Sequence, residues 1–503
     1  MKLSELLKNG EIAAWNEVSD REITGVCSSS SHVRAGGLFV AITGLHSDGH
    51  RFIGDAVARG AVAVAVEKLA LLDGRVGDLP REVAVVPVED TRAALARLSA
   101  AFCGNPQNGL RLVGVTGTNG KTTCTRLIYE ILCRAGISAG LIGTVGCIAP
   151  SGKMIFENSD PNANMTTPDP EQLYPMLARM LEERAEVVVM EVTSHALHFS
   201  KVEPLSFEIG VFTNLSEDHL DLHGTMEQYF AEKAKLFSRC ERAVINGDDR
   251  YGRILASGCG HPLLCSAEGR DAVFCAEDVR ELGTDGVEYK LTAPFMRLRI
   301  SSPMPGRFNV MNTMQAAAVA HLLGVKATDI KDALAFTKGV TGRLERIKIP
   351  EKVDFSVYLD YAHTPDALEK LLRTARGFLR GEGRIVLLFG CGGDREKEKR
   401  AQMGKVAVAL ADHVIITSDN SRSERATDII SDIRSGIGGD ACATYTVIED
   451  RRDAIEYAVR GARRGDVILL AGKGHEEYEV GKEGKKPFSE RALVLEFIKK
   501  YYG

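Results

Sequence analysis

RLVGVTGTNGKTTCTRLIYEIL (Arg111–Leu132) is the stretch whose reading decides the fold. An apolar, β-branched run enters a glycine-rich turn, and Gly120-Lys121-Thr122 then opens a helical pattern. In a strand–turn–helix of this kind, backbone N–H groups of the turn and the helix start can cradle a polyphosphate. Gly117, Thr118, Asn119 and Gly120 form the turn, Lys121 can reach the β/γ-phosphates, and the Thr122 hydroxyl, with Thr123 beside it, can ligate Mg²⁺. The stretch departs from G-x-x-x-x-G-K-[ST], because position 115 is Val and the glycines are Gly114, Gly117 and Gly120. The strand before the turn and the helix after it weaken the alternative of a chance glycine-rich match. A nucleoside triphosphate site is expected. The loop alone does not separate kinase, ATPase, GTPase and ligase.

Working outward, 503 residues predict about three domains. An apolar fraction of 44% and a charged fraction of 26% are those of a globular chain able to bury several cores. Before the loop, GGLFVAITG (Gly36–Gly44), AVAVAVE (Ala61–Glu67) and EVAVVPV (Glu82–Val88) read as buried strands. DTRAALARLSAAFC (Asp90–Cys103) reads as a helix with an acidic N-cap. After the loop, strands are expected at Glu186–Val192, Phe207–Asn214 and Arg242–Asn246, a strand-rich extension at Val287–Pro303, and a helix at Asn309–Gly324. FSVYLDYAH, GRIVLLFG, ADHVIITSD and GDVILLAG supply four further strand-to-turn transitions. The fold class expected is therefore α/β in three domains. A central P-loop domain (109–338) is flanked by a smaller N-terminal α/β domain (1–108) and a Rossmann-like C-terminal domain (339–503).

A net charge of -5 gives no basic field for nucleic acid or an anionic membrane, so neither partner is expected. With no secretory apolar region at Met1–Leu7 and no long apolar run, a cytoplasmic protein is expected. The eleven cysteines include no C-x-x-C pair and are read as structural thiols, not as a zinc or redox site.

Two further stations lie at strand ends. Glu191 closes VVVMEV and is followed by Ser194 and His195. NLSEDHLDLHG carries Asp218, His219, Asp221 and His223. Glu191 and His219 could hold Mg²⁺ directly or through water, although His is an unusual ligand for that ion. Strand-end capping is the alternative. TMEQYFAEKAKLF (Thr225–Phe237) reads as an amphipathic helix bearing Lys233 and Lys235, and spacing singles out neither.

GVTGTNGKTT, EVTSHAL, VFTNLSEDHLD, GRLERI, DYAHTPDAL and AGKGHE stand in the order found in the Mur ligases of peptidoglycan synthesis, and the chain resembles that family over essentially its whole length. It is most similar to the branch that adds the third stem-peptide residue. Folylpolyglutamate synthases share the ATP loop, but HTPDAL with an N-terminal uridine-nucleotide domain favours the Mur branch. The resemblance implies ATP-dependent phosphorylation of the D-Glu γ-carboxylate of UDP-N-acetylmuramoyl-L-alanyl-D-glutamate, then attack by an amine on the acyl phosphate. It assigns metal roles to Thr122, Glu191 and His219 and a carbamylated side chain to Lys233, with Lys121, Lys233, His219 and Asp360 catalytic. Asn309 and Asn312 match adenine-side residues, and Arg343 and Asp360, with His363 nearby, match residues that close over ATP.

The resemblance also places substrate contacts. In the uridine motif Ser29-Ser30-Ser31 stands where D-S-R is usual, so only the Ser30 hydroxyl is retained. Thr166 and Thr167 in NMTTPDPEQL (Asn164–Leu173), together with Ser194 and His195, match muramoyl-peptide contacts. Thr193 replaces a usual Ser. Lys201 stands for an Arg that holds a D-Glu carboxylate, keeping the charge but not the two-donor fork. For the incoming amino acid, Asp419-Asn420-Ser421-Arg422 resembles the D-N-P-R of the diaminopimelate-adding branch. Arg422 can clamp a distal carboxylate and Glu476 the distal ammonium, with Arg395 and Gly472 beside them. meso-2,6-Diaminopimelate is thus the expected partner substrate, L-lysine or another diamino acid the alternative, and a non-catalytic P-loop protein the rival from another class. A monomer is expected, since no assembly motif is visible.

Overall fold

The computed structural model describes residues 1–13, 20–44, 47–156, 166–269, 271–294, 296–379, 383–438 and 443–503. His46 of the uridine-side motif, Asn164 and Met165 of the threonine loop, and Cys442 lie outside the described residues. Two compact units emerge. One comprises Met1–Thr116, Ile137–Gly210 and Glu232–Arg242, the other Gly117–Gly136, Val211–Ala231 and Ala243–Gly503.

In the first unit, β1 (Gly25–Cys27), β2 (Gly37–Val40), β3 (Ala61–Glu67) and β4 (Ala84–Val88) form a parallel sheet in chain order. The continuous apolar run of β3 follows from burial on both faces. Ala63 and Ala65 join a cluster with Leu3, Leu6 and Leu98, while Val64 and Val66 point the other way, among Phe39, Ile53 and Ala56. Asp90 caps the helix Thr91–Phe102, accepting from the Arg92 and Ala93 amides at 2.8 and 3.2 Å.

The same unit holds β5 (Arg111–Thr116), β6 (Ala139–Gly143), β7 (Gly146–Ile148), β8 (Met154–Phe156), β9 (Val187–Glu191) and, up to Gly210, β10 (Phe207–Phe212), in the order β10-β5-β9-β6-β7-β8. β5, β9 and β6 are parallel, and β6, β7 and β8 antiparallel. Leu112, Val188 and Met190 pack against Leu173, Leu177 and Met180 of the helix Pro170–Glu182. Glu191 is thereby delivered at the carboxyl end of a buried strand.

From Ala243 the second unit holds the rest of β11 (Cys240–Asn246), then β12 (Pro262–Ser266), β13 (Phe274–Glu281), β14 (Val287–Ala293) and β15 (Met296–Ser302) in order. The first two pairings are parallel and the last two antiparallel. The strand-rich extension expected from Val287 to Pro303 is thus a hairpin with Val287 opposite Ser302.

The C-terminal sheet of this unit has the order β16 (Glu345–Arg346), β17 (Ser356–Asp360), β21 (Val467–Ala471), β18 (Ile385–Phe389), β19 (His413–Ile416), β20 (Thr444–Val447), all parallel except β16. Helices cover both faces, so alternate residues of β18 enter opposite cores, Leu387 in one and Leu388 in the other. Asp360, Arg395, Asp419–Arg422 and Gly472–Glu476 all follow the carboxyl ends of β17, β18, β19 and β21, where open α/β sheets place ligands. A hairpin of β22 (Tyr478–Gly481) and β23 (Gly484–Pro487) comes next, which the sequence did not announce.

One expected element is shorter than its periodicity suggested. The helix read over Thr225–Phe237 runs only from Met226 to Ala234, so Lys235 falls beyond its end. Among the described residues no helix is long and apolar enough to cross a membrane.

Candidate active site

β5 ends at Thr116, and the turn Gly117–Gly120 leads into the helix Lys121–Arg134. Gly117 and Gly120 have φ of 144° and 85°, and a Cβ would meet the Thr213 hydroxyl at 1.9 Å and the Asn312 Oδ1 at 2.7 Å. Only glycine fits either position. The turn is clamped from the residues just after β10. The Asn119 carbonyl accepts from the Thr213 hydroxyl (2.6 Å) and Asn214 Nδ2 (3.0 Å), and the Asn119 amide donates to Asn214 Oδ1 (3.0 Å). Thr118 donates to the Ser216 carbonyl at 3.1 Å. Lys121 folds its ammonium over the turn, donating to the carbonyls of Gly117 (3.0 Å) and Thr118 (2.9 Å). Thr122 and Thr123 are buried in the first helical turn.

Several predicted nucleotide-side residues meet this turn. Asn312 donates to Asn309 Oδ1 at 2.9 Å, and Asn309 to the Pro305 carbonyl at 2.7 Å, a buried amide chain that ends against Gly120. Arg343 donates to the Thr122 hydroxyl at 3.2 Å, with its guanidinium 4.5 Å over the Tyr361 ring. Asp360 accepts from the amides of Leu344 (2.6 Å) and Ala362 (2.7 Å), so it shapes the loop that presents Arg343. Burial raises its pKa, against Arg343 and these two donors.

Asp218 is a centre that spacing did not single out. Its buried carboxylate lies 3.4 Å from Lys399 Nζ, 3.4 Å from His219 Nε2 and 3.9 Å from His363 Nε2. Burial would push its pKa up, but His219, Lys399, His363 and Lys121 hold it well below the usual carboxylate range. His219 itself adopts φ 56°, an uncommon backbone for a residue with a Cβ.

The residues expected on the amino-acid side also come together. Asn420 donates to Glu476 Oε2 at 2.7 Å and accepts from Lys473 Nζ (3.0 Å) and the Val480 amide (2.9 Å). Lys473, fully buried, stands 3.3 Å from Asp419, which holds a charge-favouring low pKa despite its burial because Lys473 and Arg451 are near. Gly472 passes so close to Asp419 that a Cβ would lie 2.5 Å from Oδ2. Arg422 donates through Nη1 to the carbonyls of Gly393 (2.7 Å) and Asn420 (3.4 Å), and its amide to the Val480 carbonyl (3.0 Å). The pKa of Arg422 is lowered by burial and then by Arg395. That of Glu476 is raised by burial and Asp419, with Lys473 and Arg422 opposing. Arg422 thus stands between the charges of Arg395 and Glu476. Lys473, Arg451 and the β22–β23 hairpin, all part of this support, were not foreseen; of these only Lys473 sits inside a recognised motif.

In the first unit Glu191 is buried and accepts from the Thr144 amide (2.8 Å) and hydroxyl (3.2 Å). The Thr144 hydroxyl also pairs with Thr166 at 3.0 Å. Thr167 donates to the Glu191 carbonyl (2.9 Å) and accepts from the Thr193 amide (3.0 Å), while the Thr193 side chain caps the helix Ser194–His198. The threonines thus surround the strand end that carries Glu191, and Ser194 and His195 lie on the short helix that follows. Thr193 keeps the hydroxyl a cap needs. Lys201 is buried and pairs with Asp169 at 2.7 Å. Ser30 hydrogen-bonds Asp55, whose pKa that bond lowers, and Ser28 donates its amide and hydroxyl to Glu171 at 2.6 and 3.0 Å.

Lys233 is 1% exposed, whereas Lys235 has a half-exposed side chain paired with Glu232 at 2.7 Å. Burial distinguishes two lysines that spacing could not. Among the described residues no group of three or more His, Cys, Asp or Glu is placed to hold a metal ion. Mg²⁺ does not require one. It is commonly held by one or two carboxylates with substrate phosphates and water; within the first unit the Glu191 carboxylate, and within the second the Thr122 hydroxyl, each fit that donor chemistry.

Known proteins resemble the chain over nearly its whole length. Family models match as the Mur ligase family catalytic domain over residues 22–103, the Mur ligase middle domain over 115–320, and the Mur ligase glutamate ligase domain over 342–474. A UDP-N-acetylmuramoyl-L-alanyl-D-glutamate--2,6-diaminopimelate ligase of Syntrophomonas wolfei subsp. wolfei is 38% identical over 504 residues, covering 99% of each chain. One of Caldanaerobacter subterraneus subsp. tengcongensis is 39% identical over 501 residues, again covering 99% of each. A solved structure of a UDP-N-acetylmuramoyl-L-alanyl-D-glutamate--2,6-diaminopimelate ligase superposes with a TM-score of 0.66 at 29% identity over 100% of both chains. With its three-domain α/β architecture around a central P-loop domain, the chain belongs to the Mur ligase family.

Proposed function

We propose that this protein is an ATP-dependent ligase that joins meso-2,6-diaminopimelate to the D-Glu γ-carboxylate of UDP-N-acetylmuramoyl-L-alanyl-D-glutamate, through an acyl phosphate and with release of ADP and phosphate. The observation that carries the choice of amino acid is that Arg422 and Glu476 both bond to Asn420, one to its carbonyl and the other to its side-chain amide, with Arg395 packed beside Arg422 at Gly392. Diaminopimelate ends in a zwitterion, and a guanidinium fork with a neighbouring carboxylate matches both of its charges. Lysine would leave the fork without an anion, an expensive omission in a half-buried site.

The nucleotide's phosphates lie on Gly117–Thr123, with Lys121 offsetting their charge, the adenine against Asn309 and Asn312, and Arg343 near the phosphates on the base provided by Asp360. When bound, Mg²⁺ would supply charge neutralisation; Thr122 and His219 would hold it in the second unit, and Glu191 and a carbamate on Lys233 in the first. Burial of Lys233 supports its selection for modification. Thr166, Thr167, Ser194, His195 and Lys201 contact the muramoyl dipeptide. For Lys201 the ligand carboxylate takes the place of Asp169. Ser30 serves the uridine end, and Asp419, Asn420, Gly472 and Glu476 the incoming amino acid. Domain boundaries near residues 108 and 338, a monomer and a cytoplasmic location complete the reading.

Purified protein given ATP, Mg²⁺, the UDP-muramoyl dipeptide and either meso-diaminopimelate or L-lysine tests it. Phosphate release without incorporation of either amino acid would sink the ligase assignment. Preferential use of lysine would sink only the choice of amino acid.

A further inference from the structure

After β18, Arg395 in the connecting loop and Lys399 and Arg400 in the first turn of the helix Glu398–Leu410 each reach a different part of the molecule. Arg395 lies close enough to Arg422 to depress it electrostatically, at the amino-acid pocket. Arg400 is completely buried. It grips Glu424, two residues after Arg422, with bonds of 2.7 and 2.9 Å, and it also donates to Asp432 and the Gly392 carbonyl. Lys399, between them, turns away and buries its ammonium 3.4 Å from Asp218, the carboxylate that also holds His219.

From this geometry we infer that Lys399 is a positioning residue, which sets Asp218 and through it His219, and so ties the filling of the amino-acid pocket to the nucleotide side of the reaction. Three features carry the assignment. The Lys399–Asp218 pair is nine-tenths buried on both sides, where desolvation makes it a poor source of stability. Such a pair is better explained by the arrangement it specifies. Next, Asp218 gathers Lys399, His219 and His363 from three separated segments, so its orientation depends on all of them. Finally, Lys399 and Arg400 are adjacent in the first turn of one helix, so a displacement at the Arg422–Glu424 loop is felt at Asp218 through a single rigid element. Lys397, by contrast, is two-thirds exposed and 3.7 Å from Glu424.

The inference rests on the ligase reading and is tested beside it. Ligation rates, thermal midpoints and KM values for ATP, the UDP-muramoyl dipeptide and diaminopimelate are measured for the unaltered protein, Lys399→Met, Lys399→Arg and the control Lys397→Ala. The expected result is a kcat lowered on the order of 10- to 100-fold in Lys399→Met, with KM for ATP within about twofold. Lys399→Arg should recover most of that loss, and Lys397→Ala should match the unaltered protein. A Lys399→Met enzyme with unchanged kcat overturns the inference and leaves the ligase reading standing. So does a loss that Lys399→Arg fails to recover while both variants melt early, because the role is then only structural. Absence of product from the unaltered protein overturns the ligase reading, and this inference with it.

Discussion

Replacing Arg422 by Ala should convert a diaminopimelate enzyme into one that no longer distinguishes diaminopimelate from lysine. The structure sets the size of the effect. Nη1 of Arg422 is committed to the Gly393 and Asn420 carbonyls, which pins one limb of the guanidinium and leaves Nε and Nη2 to the proposed ligand carboxylate. A hydrogen bond to a charged group contributes about 1.5–3 kcal/mol. Two parallel ones on the same carboxylate are not independent and represent less than twice that, about 2–4 kcal/mol in all. That converts to a fall in kcat/KM for diaminopimelate of about 30- to 700-fold. L-Lysine has no distal carboxylate, so its kcat/KM should change by less than about threefold. ATP binding should be preserved, since the contacts of the phosphate turn come from Thr213, Asn214 and Ser216. Arg422→Lys keeps the charge without the fork and should fall between the two. The assay is amino-acid-dependent phosphate release with each amino acid in turn, alongside calorimetric binding of a non-hydrolysable ATP analogue. An unchanged ratio of diaminopimelate to lysine efficiency, or an equal loss of nucleotide affinity, would refute the reasoning.

Other perturbations follow from the same structure. Gly117→Ala forces a Cβ to 1.9 Å from the Thr213 hydroxyl at a φ of 144°, and affinity for the ATP analogue should fall on the order of 100-fold or more by calorimetry. If Lys233 carries a carbamate, protein equilibrated with ¹³C-bicarbonate should show a carbamate carbon resonance that disappears in Lys233→Arg; an identical spectrum would remove the modification from the scheme. Arg451→Met leaves Glu490 buried without its cation, a loss of about 3–5 kcal/mol that should move the urea midpoint of the C-terminal domain. An unmoved midpoint would count against that pair. The Arg400 hydrogen bonds hold Glu424 at a pKa of about 2, below the usual 4.5. A depressed carboxylate contributes stability that is fully present above pH 4.5 and is lost as pH falls toward about 2. Stability of the unaltered protein should therefore decline more steeply across that window than stability of Arg400→Met, as read by denaturant titration at stepped pH.

Much of the architecture was legible because it is written in contiguous residues. β3 and β18 are apolar runs long enough for a strand and too short for a helix, and both prove buried on two faces. The phosphate turn was legible for the same reason, since the glycine positions that permit its backbone lie within a few residues of Lys121. The extension Val287–Pro303 was less clear. Its alternation of polar and apolar residues suits a hairpin, but the partner β13 is named only by the pairing register.

By itself, then, the sequence determined the α/β class, the phosphate turn, and the positions at strand ends from which chemistry could be done. Those properties depend on residue spacing along a few turns of backbone. Tertiary structure alone decided which of two nearby lysines is buried, Lys233 and not Lys235. It also decided that Thr144 supports Glu191 and that Asp218 is held by Lys399, 181 residues away along the chain. The physical reason is that burial and charge pairing are properties of neighbours in space, and residues far apart in the chain become neighbours only once the sheets have formed.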